Sequence, residues 1–455
     1  MTFIEETKAL APWTEALPPD WQVTRLDAVA DVLFSNVDKH TIEGELPVRL
    51  CNYVDVYKNE RITGGLDFME ASAEPREIKK FQIQPGDLLA TKDSEASDDI
   101  AIAALVTEDL PGVLCGYHLA LIRPRFLSVS GPFLTWLHSS KTFRAQYEAK
   151  AVGVTRFGLS QYAFRAARIP LPPLPEQQRI AAYLDASCAA IDAAVAAKHR
   201  QLETLNALRK STIHAAVTRG LNADAKMKPA DLDWLSEVPA HWTPSRIKNL
   251  AELSPSYSGR SPTNDEVCTI VPMELLSEAG TMDTTSLQTF EDVSGGLTVF
   301  ETGDVLFAKI TPCMENGKGA FVENLPSCYA FGSTEFHVLR PAHAINGTFL
   351  YYYTYNPVFR AYAAENMSGA AGQKRVSSRF LKETRLFVPP LPKQLEIISF
   401  ITAKDRKFRS LFAQIEVQIA TLTAYRKSLI HECVTGQRRI TEADVAQAHM
   451  GRGAK

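Results

Sequence analysis

The sequence is poor in the residues and patterns that mark the commoner function classes. Its seven cysteines stand singly at positions 51, 115, 188, 268, 313, 328 and 433, odd in number and without a CxxC pair. That argues against a disulfide framework and a cysteine-based zinc site, and fits core or boundary thiols in a reducing cytosol. No 18-residue apolar stretch stands out, so no membrane span is expected. Met1–Trp13 has neither a basic run leading into an apolar core nor a small-residue cleavage signal, so secretion is not expected either. Neither charge sign is in marked excess: 49 Lys and Arg face 52 Asp and Glu, a formal −3. That balance neither announces nor excludes a nucleic-acid binder, because phosphate contact depends on local clusters rather than on the whole-chain sum.

Catalytic motifs are also missing. Gly369-Ala370-Ala371-Gly372-Gln373-Lys374 lacks the GxxxxGK[ST] spacing of a nucleotide-binding loop and reads as a flexible, phosphate-facing loop. Asn356-Pro357-Val358-Phe359 approaches the Asn-Pro-Pro-aromatic turn of an adenine methyltransferase. It has Val358 for the second proline and no cofactor loop upstream, so it reads as a packing segment. Gly86-Asp87 followed by Lys92 suggests a metal-dependent nuclease, but Ala90 stands two residues before Lys92 and Phe307 two before Lys309, where a second magnesium-holding acid is needed. The repeated Asp–Lys pair is then a turn and an interface or phosphate contact. His214 and His431 stand alone on helix tails, structural or partner-facing, and no metal or cofactor is expected on this chain.

What is present is a chain written twice. Pro172-Pro173-Leu174-Pro175 recurs as Pro389-Pro390-Leu391-Pro392, and Arg209-Lys210-Ser211-Thr212-Ile213-His214 as Arg426-Lys427-Ser428-Leu429-Ile430-His431, both at an offset of 217. Gly86-Asp87 and Gly303-Asp304 keep that offset, as do Lys92 and Lys309. Leu17-Pro18-Pro19-Asp20-Trp21 resembles Val238-Pro239-Ala240-His241-Trp242 at a slightly different offset. Each half is a Trp-marked start, a mixed region, a proline stop and a helix. With 455 residues, 45% of them hydrophobic, there is material for two sizeable cores.

The mixed regions read as strand-rich α/β or α+β. Strands are expected at 47–56, 87–91, 268–271 and 303–307, and apolar helices around 132–147 and 348–364. After each proline stop comes a helix of about 40 residues, roughly 60 Å at the 1.5 Å rise. The first, 176–218, places Leu184, Ile191, Lys198, Leu205 and Thr212 seven apart, and the second, 393–435, places Ile401, Phe408, Ile415, Leu422 and Leu429 likewise. A sustained seven-residue stripe asks for a facing helix. The expected fold is therefore two repeated mixed domains separated by two long antiparallel coiled-coil helices. Lys198 and Thr212 are polar interruptions, as register devices or positions shared with a partner. The expected divisions are an N-terminal extension 1–16, domain 17–170, spacer helix 171–225, linker 226–237, domain 238–388, spacer helix 389–436 and a tail 437–455.

The segments Leu171-Pro172-Pro173-Leu174-Pro175-Glu176-Gln177-Gln178-Arg179-Ile180 and Val388-Pro389-Pro390-Leu391-Pro392-Lys393-Gln394-Leu395-Glu396-Ile397, with the two helix endings, the Trp-marked starts and the Gly-Asp turns, resemble the landmarks of type I restriction–modification specificity subunits. The resemblance organises nearly the whole chain. It implies a non-catalytic, cytoplasmic bacterial subunit whose two target-recognition domains read a gapped double-stranded DNA site. It also implies that the helices set the gap and dock two methyltransferase subunits, joined by two restriction subunits in the full complex. S-adenosylmethionine, ATP and Mg then belong to those partners. Lys393-Gln394-Leu395 departs from Glu176-Gln177-Gln178, which points to a register shift or a partner preference between halves. Another two-headed DNA-binding adaptor, or a protein-binding coiled-coil scaffold without DNA specificity, shares the geometry.

Candidate DNA contacts are side chains able to reach base edges or phosphates from loops. Thr155 and Arg156 with Ser160 and Gln161 form one set, and Gln373, Lys374 and Arg375 with Ser377 form the other, each a similar distance before its proline stop. Lys92 and Lys309 complete the choice.

Overall fold

The computed structural model describes residues 13–14, 17–125, 127–293, 295–370 and 372–453, so most of the expected extension 1–16 lies outside the described residues. The chain divides into two units: Met1–Lys198 together with Val417–Lys455, and His199–Glu416. Each unit thus holds one mixed domain, the beginning of the helix that follows it and the end of the other helix. The division falls within the helices rather than at 171 or 389.

In the first unit a five-stranded sheet runs in the order Ala30–Phe34, Leu119–Pro124, Leu88–Thr91, Ala103–Val106, Arg61–Ile62. Leu119–Pro124 pairs antiparallel with both neighbours. Its central strands are apolar on both faces because each face meets a separate core. Leu88, Ala90, Ala120 and Ile122 face the helices, while Leu89, Leu119 and Leu121 face a second cluster. Against that second cluster lies the three-stranded sheet of Met69–Ala73, Leu46–Cys51 and Val113–Cys115.

The second unit repeats this plan. Val305–Ala308 and Phe336–Pro341 stand 217 residues after Leu88–Thr91 and Leu119–Pro124, again paired antiparallel. Val305, Phe307 and Leu339 face the helices, and Leu306, Phe336 and Val338 the other cluster. Among the described residues, parallel pairing is confined to Leu46–Cys51 with Val113–Cys115, Arg61–Ile62 with Ala103–Val106, and Val267–Val271 with Ala330–Gly332. Mostly antiparallel strands make both domains α+β.

Local chemistry moves several expected boundaries. The strand expected over 47–56 ends at Cys51, because Asn52 and Asp55 form a reciprocal cap that starts the helix Tyr53–Lys58. Each expected apolar helix is two helices: Gly131–Ser139 with Lys141–Glu148, and Gly347–Tyr355 with Pro357–Glu365. Asn356 precedes a proline, which disfavours helical backbone there, and its Oδ1 accepts from Val358 N at 2.9 Å. The Asn-Pro-Val-Phe segment is this helix junction.

The long helices are Leu174–Arg219 and Leu391–Val434. Within each unit they run antiparallel. In the first, Ile180, Leu184, Cys188 and Ile191 share a core with Leu429, Ile430, Cys433 and Val434, and Leu422 is partly buried against it. In the second, Ile213, Ala216 and Val217 share a core with Ile397 and Ile401, while Phe408 and Ile415 are also buried and Leu205 is half-buried. The buried position near the end of the first helix is Ile213, not Thr212. A straight helix drifts about 20° per heptad from a seven-residue stripe, nearly one residue over the four heptads from Leu184.

Two expectations are corrected. Residues 226–237 are no plain linker: Met227–Leu232 and Leu235–Pro239 form an antiparallel hairpin whose Trp234 packs 5.7 Å from Phe359 and 5.9 Å from Tyr353. The tail 437–455 carries the helix Glu442–Gly453, with Ile440 buried in the first core and Val445 and Ala448 packed against it. One helix among the described residues, Leu174–Arg219, is long and apolar enough to cross a membrane by length and composition alone, a test that a core helix also passes. Its middle is alanine-rich, with Asp185 and Asp192 between the alanines, and Ile180, Leu184, Cys188 and Ile191 are buried in the core of the first unit.

His138 supplies a pH dependence. It is buried, its Nδ1 donates to Leu134 O at 2.7 Å, and Tyr147 Oη lies 3.2 Å from Nε2. Burial holds its pKa down at about 4, below the ordinary 6.5. The unfolded chain therefore takes up a proton below pH 6.5 while the folded chain does not. Its contribution is complete above pH 6.5 and is lost as pH falls toward 4, by roughly 3 kcal/mol. The stability difference between the native protein and His138→Gln, measured by denaturant melts from pH 7 to 4, is expected to shrink by that order. A constant difference across the range defeats the prediction.

Candidate nucleic-acid interface

In the first unit the candidate residues are gathered by a small sheet. Val152–Gly153 pairs with Phe157–Gly158, which pairs with Asp93–Ser94, the continuation of the central strand past Lys92. This puts Thr155 and Arg156 on an exposed hairpin turn beside Asp93 and His118. Arg156 Nε donates to Asp93 Oδ1 at 3.1 Å, its Nη2 donates to the same oxygen, and His118 Nδ1 lies 2.7 Å from Asp93 Oδ2. The bond to Asp93 raises the Arg156 pKa. Gly153 has φ +157°, and a Cβ there meets Arg156 O at 1.9 Å, so this hairpin needs glycine.

The other members have local work. Lys92 is half-buried, its Nζ 3.2 Å from Ser35 O and over the rings of Phe34 and Tyr117, and burial lowers its pKa. Ser160 caps the short helix Gln161–Arg165 by accepting from Ala163 N at 3.1 Å, and Gln161 donates to Val32 O at 2.8 Å. A cavity of about 370 Å³ beside the hairpin is lined by Asn52, Tyr53, Asp55, Tyr117 and His118 among others.

The second unit assembles the corresponding set. Val376 N donates to Lys309 O at 2.9 Å, as Leu159 N does to Lys92 O, and Thr311 N donates to Lys374 O at 3.0 Å. Gln373 and Lys374 are exposed on this loop, while Ser377 caps the helix Ser378–Glu383 through Phe380 N. Arg375 grips Glu335, with Nε 3.1 and 3.0 Å from the two carboxylate oxygens and Nη2 at 2.8 Å. Arg375 holds the Glu335 carboxyl below its usual pKa. Sequence reasoning missed Asp93 and Glu335, because only folding brings them to the arginines.

The repeated motifs outside the interface prove to be joints. Asp87 and Asp304, beside Gly86 and Gly303 with φ of +91° and +96°, are buried and paired with Arg123 and Arg340. The repeated aspartate is thus an internal ion pair and not the expected interface or phosphate contact. Gln177 and Gln394 are both buried, and explain the shared glutamine after each proline stop. Gln177 Nε2 donates to Pro172 O at 2.8 Å and its Oε1 accepts from Ser130 N at 2.8 Å. Gln394 Nε2 donates to Pro389 O at 2.9 Å and its Oε1 accepts from Asn346 N at 2.7 Å. His214 Nδ1 lies 2.9 Å from Asn356 Oδ1 and His431 Nδ1 3.5 Å from Ser140 Oγ, each at the break between two short helices.

The departure at Lys393 has a physical reason. Glu176 is buried, accepts from Trp21 Nε1 at 3.2 Å and is paired with Arg439 at 2.8 Å. The position 217 residues before Arg439 is Asn222, so a glutamate at 393 would lack the counterpart of Arg439, and Lys393 turns instead to Glu396 at 2.8 Å.

Among the described residues no three His, Cys, Asp or Glu side chains are grouped to hold a metal ion. The seven cysteines are free, and five of them are buried.

Comparison with known proteins adds a family to this geometry. The EcoAI type I restriction enzyme specificity subunit of Escherichia coli is 32% identical over 197 residues, 43% of this chain and 32% of that protein, so the chain spans about a third of the length of that curated relative. The StySPI specificity subunit of Salmonella potsdam is 22% identical over 96% of this chain and 89% of its own. A solved structure from work on complex assembly and conformational transition of the type I R-M system has the same fold, with a TM-score of 0.68 at 18% identity over 92% of this chain and 98% of that one. The family model described as the type I restriction modification DNA specificity domain matches twice, at residues 18–204 and 239–421, and the chain belongs to that family.

Proposed function

We propose that this chain is the DNA-reading subunit of a type I restriction–modification complex and has no catalytic role of its own. Domains 17–170 and 238–388 each read one half of a gapped double-stranded target, and the paired helices set the gap and dock two methyltransferase subunits. Two restriction subunits complete the assembly in the cytoplasm, and S-adenosylmethionine, ATP and Mg are held by the partners. The observation that carries this reading is the duplication: two mixed domains with the same strand pairings at a 217-residue offset, each presenting an arginine-bearing hairpin or loop from the same place in its sheet. Two like modules on one chain suit two patches of one linear ligand.

Co-purification from the native cell, with subunits identified and counted by mass, tests the assembly. Two methyltransferase chains per copy of this protein are expected; a lone chain or an unrelated partner speaks for another kind of adaptor. Within the complex, Arg156→Ala and Lys374→Ala are expected to weaken DNA binding about tenfold each, as for loss of one charged contact, while sparing assembly. Undiminished binding in both variants removes these residues from the interface.

A further inference from the structure

We propose that Arg156 and Arg375 each read a guanine, one in each half of the target, and that Asp93 and Glu335 are positioning residues that hold the two guanidinium groups for it. This rests on the DNA-reading role proposed above and names the residues and the base.

The two arginines share an arrangement that the internal repeat alone does not supply. At an offset of 217, Arg156 corresponds to Gln373 and Asp93 to Ile310, while Glu335 corresponds to His118. The pair therefore recurs with both members displaced. In both units the Nε–Nη2 edge of the guanidinium faces the carboxylate. The carboxylates are mostly covered, at 16% and 24% exposure, whereas the arginines are 55% and 41% exposed. Among the described residues each arginine makes one further polar contact: Arg156 Nη2 lies 3.4 Å from His118 Nδ1, and Arg375 Nη1 donates to Gln373 O at 3.2 Å. Each Nη1 carries two N–H groups, so the outer Nη1–Nη2 end of each fork keeps donors for a ligand.

Charge decides what that ligand is. An arginine that serves a phosphate works through its net charge, and a carboxylate against its inner edge cancels that charge. A base edge is neutral overall and needs aligned donors instead. The outer end of a guanidinium presents two N–H groups side by side, and guanine presents two acceptors, O6 and N7, on its major-groove edge. The carboxylate fixes the plane of the fork before DNA arrives, so less side-chain freedom is lost on binding. Exposed Lys374, which has no ion-paired carboxylate among the described residues, is the better phosphate ligand.

The test uses the complex with its methyltransferase subunits. Mapping of methylated sites by single-molecule sequencing gives the wild-type target. Duplexes are then made with 7-deazaguanine, which lacks the N7 acceptor, at one guanine at a time, and binding is measured for the wild type, R156K, D93N, R375K and E335Q. The wild type is expected to lose about 5- to 100-fold at one guanine in each half, the discrimination of a bidentate pair. R156K and D93N are expected to abolish that sensitivity in one half only, R375K and E335Q in the other. Loss spread evenly over all positions, with a shallower salt dependence, makes the arginines phosphate ligands and overturns the proposal. A target half without a G·C pair overturns it too, as does unchanged discrimination in all four variants. A wild-type complex that neither binds nor methylates DNA defeats the DNA-reading role itself.

Discussion

Asp405→Ala is expected to destabilise the second unit by about 3–5 kcal/mol, because it leaves Arg209 charged and buried between the long helices. Arg209 is 6% exposed and Asp405 9%. The Arg209 guanidinium also donates to Tyr355 Oη and reaches Ala279 O at 3.4 Å, which ties the helix pair to the mixed domain beside it. Burial works against the charge, and Tyr355 and Asp405 outweigh it, so the Arg209 pKa is raised. Without Asp405 the guanidinium keeps only the Tyr355 hydroxyl and the Ala279 carbonyl, and no carboxylate balances its buried charge.

The same arginine of the repeat in the first unit, Arg426, meets Glu60 and Asp192, whose side chains are 58% and 53% exposed. Water already solvates those carboxylates, so Glu60→Ala is expected to cost about 1 kcal/mol or less. Hydrogen exchange in the intact protein reads the two effects separately. Exchange at residues 205–217 and 397–408 should quicken strongly in Asp405→Ala, while residues 184–192 and 422–430 change little in Glu60→Ala. Equal effects of the two substitutions would count against the burial argument. The double replacement Arg209→Met with Asp405→Leu is expected to recover most of the loss, since an apolar pair removes the unpaired charge.

The second large effect concerns the Gly-Asp turns. Asp304 is 1% exposed, accepts from Arg340 Nε and Nη2 at 2.8 Å each, and accepts from Glu301 N at 2.8 Å. Asp87 is 2% exposed, with Arg123 Nε and Nη2 at 2.8 and 2.6 Å and Gln84 N at 2.8 Å. Alanine at either position removes a two-pronged ion pair and leaves a backbone N–H without its acceptor. About 3 kcal/mol is expected for each, somewhat below a fully buried pair because the arginines retain some contact with water. Protection from exchange should fall over 84–91 and 119–125 in Asp87→Ala and over 301–308 and 336–341 in Asp304→Ala, each confined to its own unit. Asp87→Asn is expected to cost less, since its amide oxygen still accepts from Gln84 N. A neutral Asp304→Ala would show that the turn is held by its glycine alone.

Much of this protein was legible in its sequence, and the reason is periodicity. The 217-residue offset, the proline stops and the long apolar stripes are local or repeating signals, and they determined two mixed domains and two long antiparallel helices. Leu184, Ile191, Ile401, Phe408, Ile415 and Leu429 are buried as their spacing demands. Thr212 gave way to Ile213 only because a straight helix does not keep a seven-residue period. The tertiary structure decided what depends on partners distant in the chain. Arg439 comes from beyond the second helix to meet Glu176 and accounts for the lysine at 393, and Arg123 makes of Asp87 an internal joint instead of a surface contact. Asp93 and Glu335 meet the hairpin arginines across 63 and 40 residues of chain. No spacing rule links such residues. The sheet brings them together, and an ion pair has no period for a sequence to display.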